Sequence, residues 1–421
     1  MEQYILSLNS GSSSLKFNLF QRMECNSLTS HVSGIVEEVG NADRSLLKYD
    51  VNGIRHRVLI PVGSHQDALI ILFKELEKNN IPMDAICGVG HRVVHGGSKY
   101  TASVRINEQV IQTIRELIPL APLHNAPNLT GIEEAVKLLP EVPHVAVFDT
   151  AFHGTMPEYA FRYAIPDNWY QEYGVRKYGF HGISHLYVAK RAARFLKIPF
   201  KHFNGITVHL GNGCSITKIL NGKSVDTSMG FTPLEGLIMG TRTGDIDPAL
   251  ISHVVNKLVE DKGLSPAESY ETVMQALNKE SGMKALTGIS MMQDIRQRAL
   301  DGDPIADAAL SIYAYRAAKY IGSYWATLPE VHAIVFTAGV GENEGYIRER
   351  ILSFLKNLNF EIKDENQLRK KEMEIARSSK AGEKPLPVLV IPTDEEIVIG
   401  YDTLFIGYLD QGATEVYPFE T

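Results

Sequence analysis

Residues 5–17 read ILSLNSGSSSLKF, and residues 206–217 read ITVHLGNGCSIT. Each stretch is an apolar run, a short turn of Gly, Asn and Ser, and a second apolar run, which predicts a β-hairpin. Glycine in such a turn lets a ligand approach the backbone closely, and successive turn N–H groups form a concavity that binds anions. Two such hairpins in one chain predict two halves that hold one polyphosphate between them.

Length and composition limit the class of protein. A chain of 421 residues is expected to form two domains. Its 44% hydrophobic and 22% charged residues are typical of a soluble globular protein. The net charge of −7 argues against nucleic acid as the main partner. The 3 scattered cysteines fit a reducing compartment and neither a disulfide framework nor a zinc cluster. With no recognisable signal peptide and no apolar run of membrane-spanning length, we expect a cytoplasmic protein.

Strand and helix patterns alternate along the first half, which predicts parallel strands joined by crossover helices. After the first hairpin, we predict strands around 33–39 and 56–60, a helix at 64–78, a strand at 85–89, a helix at 107–118, a proline-rich loop at 120–127, a helix at 128–139 and a strand at 144–148.

The second half begins with an irregular aromatic stretch at 151–180. We then predict a helix at 184–195, the second hairpin at 205–220, a loop at 227–248, helices to about 300, a long helix at 305–328, a strand at 333–337, a helix at 346–357, a strand at 388–392 and a final helix. Residues 363–384, rich in Lys and Glu, are predicted to be solvated helix and loop. The doubled hairpin indicates an internal duplication.

The polar turn from Asn9 to Lys16 is the strongest single motif. Several hydroxyls and a lysine around Gly11 favour a phosphate-binding turn, and the alternative is a polar surface hairpin. It is not a Walker A loop, because Lys16 does not follow a second glycine. A P-loop fold is therefore not expected.

Two further motifs carry arginines. Arg92 follows a predicted strand, where open α/β sheets bind ligands. Its guanidinium could donate two hydrogen bonds to a carboxylate or phosphate. The alternative is a structural ion pair. Arg242 lies between glycines and could reach a transferring phosphoryl group, with Asp245 and Asp247 orienting it or holding water on Mg²⁺. The alternative there is a turn rich in Asp and Gly.

His181 and His185 stand four residues apart at a predicted helix start. Metal binding is conceivable, but the chain has no HExxH motif and no cysteine near them. A catalytic hydrogen-bond donor or a structural role is expected for His181, and a structural role for His185.

Three strand ends carry weaker signals. The Gly-x-Gly at 339–341 resembles a nucleotide-binding turn. Asp149 and Glu395 each follow a strand and could be a helix cap or a solvated charge. In a chain already equipped for phosphate, the two carboxylates also suggest a Mg²⁺ site.

Together these motifs resemble the acetate kinase family, within the superfamily of acetate and sugar kinases, Hsp70 and actin. The matching stretches, in the family's order, are LNSGSSSLKF (8–17), GHRVVHGG (90–97), APLHNAPN (121–128), VFDTAFH (147–153), KYGFHGISH (177–185), HLGNGCS (209–215), MGTRTGDIDP (239–248), AGVGEN (338–343) and PTDEE (392–396). The resemblance implies an α/β protein of two duplicated ribonuclease-H-like (actin-like) domains with a central cleft. It implies an N-terminal domain of residues 1–151 plus 397–421 for the acyl substrate and the phosphate hairpin, and a nucleotide-binding domain of residues 152–396.

The resemblance also implies site residues. Catalytic roles fall on Asp149, Arg92, Arg242 and His181. An apolar pocket for the acetate methyl group, beside Arg92, is formed by Val94, Leu123, Phe180 and Pro233. The nucleotide is bound by Ser12, Ser14, Lys16, His209, Leu210, Gly211, Asn212, Gly213, Asp294, Ile295, Arg296, Gly339, Val340, Gly341, Glu342 and Asn343. Asn9 and Glu395 hold Mg²⁺, for which Mn²⁺ can substitute. The family is typically homodimeric, and no membrane or nucleic-acid partner is implied.

Two departures from the family pattern stand out: Asp394 replaces an Asn, with a possible effect on the metal shell, and Ala126 replaces a Pro.

The implied reaction is ATP + acetate ⇌ ADP + acetyl phosphate. The acceptor carboxyl, with a reference pKa of roughly 4, is already ionised and needs no general base. Val94 is bulkier than alanine and favours acetate over propionate. A propionate or other short-chain carboxylate kinase is the alternative within this class. A nucleotide-driven binding switch of the Hsp70 or actin kind and a metal-dependent hydrolase are the competing classes.

Overall fold

The computed structural model describes residues 2–41, 43–51, 53–368, 371–379, 384–414 and 416–420. The chain divides into two compact units, Met1–Gly154 with Asp394–Thr421, and Thr155–Thr393. Each unit is an α/β layer structure with one mixed sheet. In the described parts of the chain, every helix is too short or too polar to cross a membrane.

Among its described residues, the first unit contains eight strands and three α-helices before the chain enters the second. They are β1 (Tyr4–Ser10), β2 (Ser14–Arg22), β3 (Leu28–Glu37), β4 (Leu46–Val51), β5 (Ile54–Leu59), α1 (His65–Lys78), β6 (Ile86–Val93), β7 (Val104–Arg105), α2 (Glu108–Glu116), α3 (Pro122–Leu138) and β8 (His144–Phe148).

The second unit follows, and the chain then returns to the first. Its elements are α4 (Glu158–Phe161), α5 (Asp167–Tyr173), α6 (Gly182–Phe195), β9 (Gly205–Leu210), β10 (Cys214–Leu220), β11 (Lys223–Thr227), α7 (Ala249–Lys262), α8 (Pro266–Lys279), α9 (Gly282–Thr287), α10 (Met292–Leu300), α11 (Pro304–Ala326), β12 (Ala333–Thr337), α12 (Ala338–Asn343), α13 (Gly345–Phe354), β13 (Glu361–Ile362), β14 (Met373–Ser378) and β15 (Leu386–Val390). Helix α14 (Glu395–Asp402), continued by a π-helical turn at Thr403–Tyr408, belongs to the first unit.

The two sheets repeat one topology. The first has the order β5-β4-β3-β2-β1-β6-β8-β7 and the second β11-β10-β9-β12-β15-β14-β13. In each, three consecutive strands form an antiparallel meander, and the first of them pairs in parallel with the next strand inward. That strand pairs in parallel with one more, β8 or β15. The duplication indicated by the two hairpins is confirmed, although the sheets are mixed and not parallel throughout.

In the first unit, apolar side chains of the sheet and of helix α1 form one buried core. Leu6 and Phe17 of the hairpin strands and Leu69 and Leu72 of α1 are at most 1% exposed and belong to one apolar cluster. Each buried side chain of this size contributes about 1.5–3 kcal/mol through removal of apolar surface from water. This packing fixes the strand ends that carry the polar motifs.

Two predictions for secondary structure were wrong. The proline-rich stretch 120–127 is mostly the start of α3, because Pro122 occupies the first helical turn, where its missing N–H costs nothing. The charged stretch 363–384 contains β14, which pairs with β15 and buries Met373 and Ile375. Residues 369–370 and 380–383 of that stretch lie outside the described part. Strands β4, β7, β11 and β13 were not predicted, and the short helices α4 and α5 lie in the stretch 151–180 that was expected to be irregular.

Candidate functional site

The hairpin turn between β1 and β2 is closed tightly. The N–H of Gly11 donates to the Ser14 carbonyl at 2.8 Å, and a Cβ on Gly11 would lie 2.9 Å from Ser14 Oγ, so a larger residue would crowd the turn. Ser12 is exposed at the tip. Lys16 forms an ion pair with Glu396 at the start of α14. The turn therefore presents hydroxyl groups outward, with its lysine held beside a carboxylate.

Arg92, near the end of β6, is held by carboxylates that follow β8 and begin α14. The parallel register of these strands places Asp149 beside it: Arg92 Nε donates to Oδ1 at 3.0 Å and Nη2 to Oδ2 at 2.5 Å. Asn9 Oδ1 lies 3.5 Å from Nη1, and Glu395 Oε2 lies 3.7 Å from Nε. Burial alone would lower the pKa of Arg92, but the charges of Asp149 and Glu395 outweigh it and raise the pKa. The ion pair left open by the sequence is present, and four predicted site residues meet around it.

The acidic residues at the start of α14 differ in role. Asp394 Oδ1 accepts the N–H of Ile397 at 3.0 Å and caps the helix. Because Asn and Asp cap helices about equally well, the exchange of Asn for Asp at this position preserves the cap. Burial raises the pKa of Asp394 to about 6. Burial also raises the pKa of Glu395 to about 7, although Arg92 acts to lower it.

The oxygen atoms around Arg92 fit a magnesium ion. Within the described residues, no three His, Cys, Asp or Glu side chains are grouped to hold a metal by themselves. Mg²⁺, however, usually takes one or two protein carboxylates and completes its shell with water and substrate phosphates. Asn9 and Glu395 supply oxygens of the preferred type. Burial and the nearby charges of Asp149 and Glu396 raise the pKa of Glu395, and a cation beside this carboxyl would act in the opposite direction, so the donor set suits a cation.

Two asparagines of α3, to which the sequence assigned no role, brace the strand ends. Asn128 accepts the N–H of Val94 at 3.0 Å and donates to the carbonyl of Ser10 at 2.7 Å. Asn125 bonds both the N–H and the carbonyl of His95, at 3.0 and 3.1 Å. Both amides are at most 3% exposed. The available signal was a pair of amides three residues apart within an otherwise helical, largely apolar stretch.

The residues expected to form the apolar pocket differ in exposure. Val94 is 6% exposed and Leu123 is 50% exposed in the first unit. In the second unit, Phe180 is 2% exposed and Pro233 is half-buried. The pocket itself stays a prediction.

In the second unit, His181 precedes α6 in a left-handed backbone conformation, with φ of 57°. Such a conformation is costly for a residue with a Cβ and is found mainly where function or tight packing requires it. Its Nδ1 lies 2.8 Å from Ser215 Oγ, and its ring stacks on His209 with centroids 4.2 Å apart. The ring is therefore fixed against the second hairpin.

Arg242 lies in a loop folded onto the turn of that hairpin. The N–H of Gly240 donates to the carbonyl of Asn212 at 3.1 Å, and a Cβ on Gly240 would lie 2.2 Å from Asn212 Oδ1. Arg242 Nη1 lies 3.4 Å from the Pro233 carbonyl oxygen. Among the described residues, no ion pair with a carboxylate is found for Arg242, and burial lowers its pKa. Its positive charge is therefore left for a ligand to balance.

Asp245 and Asp247 do not orient Arg242, contrary to one sequence hypothesis. Asp245 Oδ1 accepts the N–H of Gly236 at 2.8 Å, and its Oδ2 accepts the hydroxyl of Tyr320 at 2.8 Å, which closes the neck of the loop. Asp247 accepts the N–H of Ala249 at 2.9 Å, at the start of α7. Asp245 thus bonds the backbone and the side chains of Tyr320 and Arg316, and Asp247 bonds the backbone.

The segment 294–296 lies on α10. Ile295 is fully buried, so its side chain packs in the core. Asp294 lies in the first turn of the helix. Arg296 Nε lies 3.1 Å from Glu344 Oε2. This ion pair joins α10 to the residue that follows α12, so the structure brings two of the predicted nucleotide segments together.

The segment 339–343 is helix α12, which starts directly after β12. Ala338 has φ of 66°, a strained position at the strand-to-helix turn. Glu342 Oε1 accepts the N–H of Ala338 at 2.9 Å and that of Thr393 at 3.0 Å, so this side chain holds the turn in place. The fully buried Arg348 donates from Nη1 to the Gly341 carbonyl at 2.8 Å. Arg348, like Asn125 and Asn128, is a residue that the sequence did not single out.

The sequence and the fold of this chain are similar to those of known proteins. Residues 4–401 match the model of the acetokinase family. The chain belongs to the acetokinase family. It is 46% identical to the acetate kinase of Shouchella clausii over 404 residues, which is 95% of this chain and 98% of the relative. It is 47% identical to the acetate kinase of Bacillus mycoides over 408 residues, 96% of this chain and 98% of the relative.

Solved structures of this family have the same fold. A propionate kinase from Francisella tularensis superposes with a TM-score of 0.85 at 39% identity, covering 94% of this chain and 98% of that one. The acetate kinase of Porphyromonas gingivalis superposes with a TM-score of 0.84 at 39% identity, covering 96% and 99%. The fold predicted from the family resemblance is confirmed, and the chain is a phosphotransferase with a carboxylate as acceptor.

For this acetokinase, the structure gathers the predicted residues into two groups. Asn9, Arg92, Asp149 and Glu395 lie together in the first unit. In the second unit, a Cβ on Gly213 would lie 3.2 Å from His181 Nε2 and 3.6 Å from Arg242 Nη1, which places these two donors beside the hairpin turn. Each group contains one arginine whose charge suits an anionic reactant.

Proposed function

We propose that this enzyme reversibly transfers the γ-phosphoryl group of ATP to acetate by direct in-line displacement, giving ADP and acetyl phosphate. The observation that carries the proposal is the contrast between its two arginines. Arg92 is oriented by Asp149, whereas Arg242 is half-buried with no carboxylate paired to it among the described residues. A desolvated cation without a partner is stabilised by an anion, and the reacting phosphoryl group is one.

The acceptor chemistry defines the role of Asp149. Acetate is already ionised near neutral pH, because carboxyl groups have a reference pKa of roughly 4, so no general base has to remove a proton. Each oxygen of Asp149 accepts one hydrogen bond from Arg92. Asp149 therefore acts as the group that orients Arg92, while Arg92, Arg242 and His181 offset the repulsion between two anions and hold the in-line geometry.

The two units bind different reactants. The first unit supplies the acyl substrate site and the phosphate turn with Ser12, Ser14 and Lys16. The second supplies the nucleotide site through three segments, residues 209–213, 294–296 and 339–343. Within these segments the buried Leu210 and Ile295 contribute by placing backbone groups, since their side chains are 0% exposed.

Asn9 and Glu395 would hold Mg²⁺, or Mn²⁺ in its place, in the first unit. When bound, the ion would neutralise charge on the transferred phosphoryl group and on the leaving nucleotide. Support comes from the carboxyl of Glu395, whose pKa is raised to about 7 by burial and whose proton a cation would displace.

Acetate is the proposed acceptor in preference to propionate. Propionate is the alternative acceptor, because the structural relative from Francisella tularensis is named a propionate kinase. Val94 is 6% exposed, and its branched side chain limits room for another methylene. Each buried CH₂ contributes about 0.8 kcal/mol, so Val94→Ala should raise kcat/KM for propionate relative to acetate by about fourfold. Steady-state rates with both acids measure this ratio, and a wild-type preference for propionate would overturn the assignment.

We also propose a cytoplasmic homodimer. An apolar groove of about 300 Å³ lies along α11, lined by Leu286, Pro304, Ile305 and Ile312. Ile305 is 59% exposed and Ile312 is 46% exposed, which is unusual for residues of this type. Light scattering after size exclusion tests the dimer, and Ile305→Asp is expected to weaken it.

One coupled assay tests the reaction itself. ATP, Mg²⁺ and acetate are incubated with hydroxylamine, which traps acetyl phosphate as the hydroxamate. Hydroxamate should form only when all three reactants are present. Slow ATP hydrolysis unaffected by acetate would instead indicate a nucleotide-driven binding switch, and hydrolysis of an ester or phosphate without ATP would indicate a hydrolase.

A further inference from the structure

Four side chains of the second unit form a continuous hydrogen-bonded chain that ends on His181. Thr207 Oγ1 lies 2.7 Å from His185 Nδ1. His185 Nε2 lies 2.7 Å from Ser215 Oγ, which in turn lies 2.8 Å from His181 Nδ1. Thr207, His185 and Ser215 are each 0% exposed. The chain thus runs through the protein interior from β9, across α6 and β10, to the ring beside Arg242.

The hydroxyl protons set the direction of this chain. Buried polar side-chain atoms are almost always hydrogen-bonded, and the partner found for Thr207 Oγ1 in the described part of the chain is His185 Nδ1. We assign the Thr207 hydroxyl as the donor to this nitrogen, because the hydroxyl proton then has an acceptor. His185 then carries its proton on Nε2 and donates it to Ser215. Ser215 has one hydroxyl proton, which is left for His181 Nδ1. A neutral His181 in this arrangement carries its own proton on Nε2.

We propose that Thr207, His185 and Ser215 are positioning residues that hold His181 as the neutral Nε2–H tautomer, so that this N–H donates to the transferring phosphoryl group. The inference rests on the proposed role of His181. The Nε2 edge of the ring faces Gly213: a Cβ there would lie 3.2 Å from His181 Nε2 and 3.6 Å from Arg242 Nη1. The tautomer therefore decides whether a donor or an acceptor stands next to Arg242.

The surroundings of His181 fix the position of its ring. His181 stands at the N-terminus of α6, a helix of 14 residues whose positive end opposes a further positive charge. Its ring stacks on His209 at 4.2 Å with an interplanar angle of 17°. His209 is held in turn by Ser184 Oγ, 2.8 Å from its Nδ1. The ring plane is thus fixed, and Ser215 sets which nitrogen bears the proton.

Imidazole ¹⁵N spectra of the full-length protein, labelled at its 14 histidines, test the tautomer without any use of activity. The His181 signals are assigned by their loss in His181→Asn. In the wild type, Nε2 should carry the proton and Nδ1 should be an acceptor. In Ser215→Ala, the two nitrogens should show averaging between tautomers. A proton on Nδ1 in the wild type, or identical His181 signals in wild type and Ser215→Ala, would overturn the proposal.

Steady-state kinetics provide the second test. Ser215→Ala should lower kcat about tenfold, which corresponds to about 1.4 kcal/mol in the barrier, with little change in KM for ATP or acetate. Ser215→Thr retains the hydroxyl and should restore most of the rate. Thr217→Val is the matched control, since it removes another fully buried hydroxyl of β10, one bonded to Thr227 and outside the chain. It should leave kcat near the wild-type value.

A double-mutant cycle separates this inference from the function on which it rests. If Ser215 acts through His181, then Ser215→Ala has no further effect on kcat in a His181→Ala background. Additive losses would refute the positioning role. If His181→Ala alone keeps full activity, the proposed function of His181 fails, while the spectra still report whether the hydrogen-bonded chain sets its tautomer.

Discussion

Replacing Asp149 by asparagine removes the negative charge that orients Arg92 and changes the side-chain volume very little. In the wild type, the two charge-assisted hydrogen bonds measure 3.0 and 2.5 Å, and the exposed fractions of the Arg92 and Asp149 side chains are 19% and 1%. Asparagine can accept one of these bonds but presents an NH₂ group to the other guanidinium nitrogen. The substitution therefore leaves the guanidinium of Arg92 with one of its two hydrogen bonds to this side chain.

The magnitude follows from the burial of the pair. Removing one partner of a buried ion pair costs about 3–5 kcal/mol of folding stability. Glu395, 3.7 Å from Arg92, remains as a second carboxylate and places the expected loss at the lower end, about 3 kcal/mol. Because Arg92 then loses its fixed orientation towards the reacting groups, kcat should fall by about 100-fold or more, the effect of losing one preorganised donor.

Urea unfolding followed by far-UV circular dichroism measures the stability, and the coupled hydroxamate assay measures kcat. Glu133→Gln is the matched control: the Arg115–Glu133 pair belongs to the same unit, but its side chains are 49% and 36% exposed. This control should cost less than about 1 kcal/mol. The pH profile of the residual Asp149→Asn activity should match the wild type, because no proton is removed from acetate. Wild-type stability together with wild-type kcat would refute the role of the pair, and a loss of activity that disappears at high pH would indicate a general base.

Three further substitutions test other parts of the molecule. Arg242→Ala should lower kcat by orders of magnitude with little change in nucleotide affinity, measured by kinetics and calorimetry. Burial lowers the pKa of His95 from 6.5 to about 4, so the unfolded chain binds the proton more tightly and stability falls as pH drops through that window. His95→Asn, which can still accept the N–H of Gly97, should remove about 3 kcal/mol of this acid sensitivity in urea titrations. Arg348→Met leaves the Gly341 carbonyl unpaired and should cost about 1–3 kcal/mol and raise KM for ATP more than for acetate.

Each of these has a contrary outcome. Near-normal turnover in Arg242→Ala would remove Arg242 from the transfer step. An unchanged slope of stability against pH in His95→Asn would place the acid sensitivity on other groups, such as the buried His91–His144 pair. Equal increases in both KM values for Arg348→Met, with Arg348→Lys as the control that keeps the charge, would show a general loss of structure instead of a displaced α12.

The sequence alone determined the fold and the family because the decisive signals are local. The two apolar runs around a short turn in residues 5–17 and 206–217 predict a hairpin by themselves. The turns at Gly11 and Gly213 can be recognised from neighbouring residues alone. The sequence could not determine the ends of α3 or the strand β14, because their formation depends on packing. From sequence alone, Pro122 is typical of a loop, but in the structure it begins α3. The charged stretch around 373–378 forms a strand because it pairs with β15.

Only the tertiary structure decided which side chains meet. Arg92 and Asp149 are 57 residues apart and come together because β6 and β8 pair in parallel. His181 and Ser215, 34 residues apart, meet because α6 packs against the second hairpin. The bracing roles of Asn128 and Arg348 depend on burial, since an amide or a guanidinium becomes structural when it is removed from water and hydrogen-bonded inside the protein. The sequence thus predicted the candidate site residues, and long-range packing determined which of them lie together and how they are oriented.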